Sequence, residues 1–164
     1  MLPTLFGRIQ SRIFFLATIG SFFTFVMASI LPADFCYQGQ CVSAGYGDKL
    51  QDGFAALLWV AIFGVLWECL YHFVMQWRWE KDWPTFFGLV TGINEGLLVY
   101  FLGDKGVLPG FVGRGTELED LIGLIPAWFF FPLFWVVWIA VWIWSNGPMR
   151  IFNIHWRFFG GRIV

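Results

Sequence analysis

The chain has 164 residues, of which 59% are hydrophobic, 22% aromatic and only 13% charged. Soluble domains carry about 25% charged residues, which excludes water as the main solvent of this fold. A formal net charge of −1 without a basic patch excludes nucleic acid as a partner, and the length allows one membrane domain and little else.

The segment Leu2–Arg12 is expected to be an interfacial lead-in. Thr4 can cap it, and Arg8 and Arg12, four residues apart, share a face suited to lipid phosphates and serve as anchors. The first span, 13-31, is uncharged and ends at Pro32; about 20 predominantly apolar residues cross a hydrocarbon core. Its apolar stretch exceeds the roughly 7–15 residues of a signal peptide and no A-x-A site follows, so a retained helix is expected. Residues 32-53 form an outer loop rich in glycine and polar residues, carrying Cys36 and Cys41. On the outer, oxidising side of a bacterial cell a Cys36–Cys41 disulfide is expected. Two free thiols are the plain alternative, and the four ligands of a structural metal site are not in view.

The second span, 54-75, is interrupted by Glu68 and His72, and holds Cys69, read as a small packed apolar residue. The turn from Gln76 to Pro84 is short enough to make the second and third spans an antiparallel hairpin. Trp77, Trp79 and Trp83 stand where an aromatic belt anchors a helix end. The third span, 85-102, contains Asn94 and Glu95, and its Gly88, Gly92 and Gly96 lie on one stripe where another helix can approach closely. A second outer loop, 103-120, is glycine-rich and turns acidic toward Asp120. The fourth span, 121-144, contains Pro126 and Pro132, the latter expected to kink it, and a stripe of Trp128, Trp135, Trp138 and Trp142. That stripe reads as a packing or lipid-facing surface in preference to a cofactor platform. In the tail, 145-164, Arg150, Asn153 and Arg157 can share one helical face and Phe152, Trp156 and Phe159 another, which suits a segment lying in the interface.

The positive-inside rule orients this four-span, all-α membrane protein. Arg8, Arg12, Arg78, Lys81, Arg150, Arg157 and Arg162 fall on one side, against Lys49, Lys105 and Arg114 on the other, which puts both termini inside. The acidic residues of the outer loops agree.

Glu68 and Glu95 carry the chemical interest. A carboxylate near mid-bilayer costs at least about 2.5 kcal/mol, so such residues face a protein interior and pair with something. Glu68 is eight residues from Gln76 and Glu95 ten from Thr85, or about 12 and 15 Å from the same boundary. With His72 one turn from Glu68, and Asn94 beside Glu95, they form an intramembrane polar cluster. Three readings compete. In a structural reading, Glu68 bonds His72 or backbone, Glu95 is protonated or bonded to Thr91 or a partner helix, and the pair fixes helix register. In a transport reading the two acids carry a proton or cation. In a third, Glu68, His72 and Glu95 ligate an ion. No motif for hydrolysis, phosphate binding or zinc catalysis is present, and a single intramembrane histidine does not supply the two axial ligands of a haem. Neither an enzyme nor a cofactor nor a metal is expected.

The stretches Leu66-Trp-Glu-Cys-Leu-Tyr-His72, Trp79-Glu-Lys-Asp-Trp-Pro-Thr-Phe-Phe-Gly88 and Thr91-Gly-Ile-Asn-Glu-Gly96 resemble a family of small four-span actinobacterial membrane proteins, as does Leu5-Phe-Gly-Arg-Ile-Gln-Ser-Arg-Ile13. The resemblance covers less than half of the chain. It implies an inner-membrane location and brings no catalytic residues. The expected role is a non-catalytic accessory or stabilising subunit. It would contact membrane lipids and other integral subunits in a larger assembly of the bacterial cytoplasmic membrane, such as an envelope lipid-transport system or a respiratory complex. The alternative is a small oligomeric proton- or ion-coupled transporter using Glu68 and Glu95.

Overall fold

The structure, a computed structural model, describes residues 4–37, 40–77, 85–111 and 126–152; among these, the side chains of 35–37, 40–42, 75–76, 85–87 and 150 lie outside the description. Three helical stretches are long and apolar enough to cross a membrane: Leu5–Ile30, Tyr46–Val74 and Ala127–Asn146.

The first stretch starts well before residue 13. Thr4 accepts a hydrogen bond from the Gly7 N–H at 3.2 Å, which caps α1 (Leu5–Phe15). No breaker follows, so the chain continues through a π-helical segment, Leu16–Gly20, into α2 (Ser21–Ile30). Residues at a four-residue spacing drift around a helix of 3.6 residues per turn. The wider π turn absorbs that drift, so Leu16, Gly20, Thr24 and Ala28 all stay buried against the other helices. The lead-in is therefore part of the spanning helix.

Beyond Leu31, residues 32-53 are not an irregular loop. β1 (Asp34–Tyr37) and β2 (Gln40–Ser43) form an antiparallel hairpin, the only strands among the described residues. The ladder continues outward with Ala44 donating to the Ala33 carbonyl at 2.9 Å. α3 (Tyr46–Gln76) begins eight residues ahead of the expected span. Asp48 supports that early start by accepting from the Gly45 N–H at 3.1 Å, while Lys49 Nζ donates to the free Leu31 carbonyl at 2.9 Å. At 31 residues α3 is about 46 Å long and exceeds a hydrocarbon core of about 30 Å.

α4 (Thr85–Asp104) matches the expected third segment, extended by two residues. α5 (Ala127–Asn146) starts after Pro126, whose carbonyl accepts from Phe129 and Phe130, and accommodates Pro132 in its interior. A short α6 (Pro148–Phe152) follows; the remainder of the expected interfacial tail lies outside the described residues.

The helices close into a ring. The α1–α2 rod packs on α3, α3 on α4, α4 on α5, and α5 back on the π segment and α2. Neighbours run antiparallel, as the close approaches show: Gly20 to Leu57, Gly53 to Thr24, Gly64 to Arg12. Inside the ring are Phe15, Leu16, Val60, Val99, Phe130, Leu133, Phe134 and Val137.

The glycine stripe of α4 meets the aromatics of α5 one for one. A Cβ on Gly88 would lie 3.7 Å from Trp142, Gly92 faces the indole of Trp138, and a Cβ on Gly96 would come within 2.6 Å of Phe134. The stripe is thus an internal packing surface, and its partner is Phe134–Trp138–Trp142, at steps of four. Of the expected tryptophan stripe, Trp128 is exposed instead. Its seven-residue step to Trp135 omits the phenylalanines that complete the buried face.

Candidate functional site

Helix geometry dictates where charge collects. Arg8 and Arg12 sit four apart on α1, one above the other. On α3, Gly64 and Glu68 have the same spacing, and the antiparallel packing sets the two pairs side by side. Arg8 Nε lies 2.8 Å from Glu68 Oε2, and Arg12 Nη1 lies 3.5 Å from Glu68 Oε1. Arg12 Nη2 also pairs with Glu95 Oε2 on α4. The Arg12 guanidinium carbon stands 5.0 Å from the ring centre of Trp138 on α5, within cation–π range. Trp138 is itself held by donating its indole N–H to the Leu89 carbonyl at 3.2 Å. One guanidinium from α1 thereby touches a residue on each of the other three helices.

The absent side chain of Gly64 makes this approach possible, since a Cβ there would overlap the guanidinium. Exposure falls inward: Glu68 and Arg12 side chains are 14% and 9% exposed, and Glu95 is 0% exposed. Two arginines and two glutamates give a cluster with no net charge. That balance matters because one uncompensated charge in a non-aqueous interior costs several kcal/mol. Three buried polar atoms of the cluster have no hydrogen bond among the described residues, Arg12 Nε, Glu95 Oε1 and Glu68 Oε2, the last of them still ion-paired with Arg8.

The sequence places Glu68 and Glu95 together correctly but mistakes their partners. Arg8 and Arg12 are not anchors pointing to lipid phosphates; both turn inward onto carboxylates. His72 is half-buried on α3 and is not the partner of Glu68. Asn94 is exposed and takes no part in the cluster, because adjacent residues on a helix point about 100° apart. Trp77 is exposed at the end of α3, as an interfacial anchor would be, whereas Trp79 and Trp83 lie outside the described residues. The hairpin register pairs Cys36 with Cys41 directly, but their side chains are among those outside the description. Cys69 is exposed, not packed. Among the described residues, no group of three or more His, Cys, Asp or Glu is placed to hold a metal ion.

Gly64 is the site residue that sequence reasoning did not single out, while Arg8, Arg12 and Trp138 were read in other roles, as interfacial anchors and as part of an aromatic stripe. A signal exists: the apolar run can be followed back to the Thr4 cap, and the arginines are then about as far from the first loop as Glu68 is. Searches with family models, among curated proteins and among solved structures return no match to this chain.

Proposed function

We propose that this chain is a non-catalytic accessory subunit that stabilises a larger assembly of a bacterial cytoplasmic membrane, with four spans and both termini inside. The fourth span in this reading is α4, which at 20 residues is about 30 Å long and packs between α3 and α5. The excess of Lys and Arg on one side of the four-span arrangement supports the orientation.

The observation that carries the role is the closed charge balance around Arg12. Both acids of the cluster, Glu68 and Glu95, are paired with a permanent cation; the ion pairs join α1, α3 and α4, and the Arg12–Trp138 contact adds α5, as suits a clamp. A carrier of protons or cations needs a group that releases its partner in each cycle. The rival transporter reading has one supporting observation, the unbonded Glu95 Oε1. The assembly served fits the class of multi-subunit envelope transport systems, lipid transport among them, or of respiratory complexes.

Purification at native abundance in mild detergent, followed by mass spectrometry, tests the proposal. Integral membrane proteins should copurify in fixed proportion, and Glu68→Gln or Glu95→Gln should alter stability or those partners. Should the purified chain alone move a solute across liposomes only when both carboxylates are intact, the accessory role is wrong.

A further inference from the structure

Asn94 sits in the middle of α4 with an exposed side chain that forms no hydrogen bond with any described residue. Around it, Val90, Ile93, Leu97 and Phe101 are also exposed. Positions 90, 94, 97 and 101 are separated by four, three and four residues, the alternation of a coiled-coil seam. This seam is separate from the internal glycine stripe, since Gly92 and Gly96 are buried against α5 while the seam is exposed among the described residues.

A carboxamide brings two donors and an acceptor. In hydrocarbon none of these finds water, so an open amide at the centre of a span calls for a polar partner on another helix. We propose that α4 pairs with α4 of a second copy of this chain, with Asn94 bonded to Asn94 across a two-fold axis along the membrane normal. Self-complementarity selects the second copy. An amide can donate to and accept from an identical amide, and two chains inserted the same way round hold Asn94 at equal depth. A lone Asn at a core position of such a seam fixes both register and oligomer state. The inference rests on the four-span reading, because it needs α4 to lie in hydrocarbon, but it is independent of which assembly the chain serves.

The test uses the full chain carrying one fluorophore, in liposomes of phosphatidylethanolamine and phosphatidylglycerol. Single-molecule photobleaching counts subunits over a range of protein-to-lipid ratios. The wild type should dimerise. Asn94→Leu should raise the ratio needed for half-dimerisation by about tenfold, and Asn94→Gln, which keeps donor and acceptor, should shift it much less. Leu97→Trp, a bulky change on the same seam, should also dissociate the dimer, whereas Leu58→Ala on the exposed face of α3 should not. A wild type that stays monomeric, or an Asn94→Leu variant that dimerises as well as wild type, overturns the pairing. A cysteine placed at Leu97 separates the causes of failure. If it reacts with aqueous maleimide, α4 is not in hydrocarbon and the four-span reading fails too; if it is protected while the wild type is monomeric, only the pairing fails.

Discussion

Replacing Arg12 by Met keeps a long side chain but removes the charge shared by Glu68 and Glu95. At an effective dielectric of about 20, the attraction across the 3.5 Å between Arg12 and Glu68 alone is about 5 kcal/mol. Breaking a buried ion pair by deleting one partner costs about 3–5 kcal/mol, because the other charge is left uncompensated. Arg12→Met leaves one cation against two anions, and Glu95→Gln leaves two cations against one anion. The double variant Arg12→Met/Glu95→Gln restores parity, with Arg8 still on Glu68. Each single variant should therefore lose about 3–5 kcal/mol, and the double variant should be more stable than either. Arg8→Met should lose less than Arg12→Met, since Arg8 is the more exposed arginine. Unfolding free energies from sodium dodecyl sulfate titration in mixed micelles, followed by circular dichroism, give the full cycle. Additive losses in the double variant would refute the account, as they would mean that Arg12 and Glu95 act independently.

The glycine stripe should show a graded response in the same assay. Gly92→Ala and Gly96→Ala, which drive a Cβ into Trp138 and Phe134, should lose about 1–3 kcal/mol. Gly88→Ala, whose Cβ meets Trp142 at an ordinary 3.7 Å, should be neutral or gain up to about 1 kcal/mol from helix propensity. Gly64→Ala should resemble Arg12→Met in direction, because its methyl displaces the guanidinium from its carboxylates; a stability equal to wild type would contradict the close packing there. For the hairpin, the direct register of Cys36 with Cys41 leads us to expect a disulfide, seen as protection of both thiols from alkylation in intact cells until a reductant is added. A reporter fused after Val164 should be active only inside the cell; external activity would overturn the proposed orientation.

Element identity was legible wherever apolar runs were long. The segments at 54-75, 85-102 and 121-144 all contain helix, and Gly88, Gly92 and Gly96 do form a packing stripe. What composition could not supply was the start of the first helix. A search for an uncharged run stops at Ile13, so it cuts off the turns that carry Arg8 and Arg12 and assigns them to the interface. Charge is a poor boundary marker when it is paired inside the bundle. The start of α3 at Tyr46 was missed for a related reason. Its first turns contain Asp48, Lys49, Gln51 and Asp52, which read as loop although Asp48 and Lys49 bond the chain at the end of the hairpin.

Facing direction was the other loss, and it decides the meaning of two adjacent residues. Asn94 and Glu95 are neighbours in the sequence and opposite in role. Glu95 falls into the ring because it lies between Gly92 and Gly96 on the buried side of α4, and Asn94 then has to point away. Once Glu95 is fixed inside, electroneutrality constrains the whole cluster. A proton added to Glu95 would leave two cations facing one carboxylate among four helices, and a proton added to Glu68 would do the same. The two acids therefore cannot be treated as separate sites: a change of charge on either must be matched by movement of an arginine or entry of an anion. In the accessory role proposed above, such a cluster holds α1, α3, α4 and α5 in one fixed arrangement, whereas a proton relay would need one of those movements in every cycle.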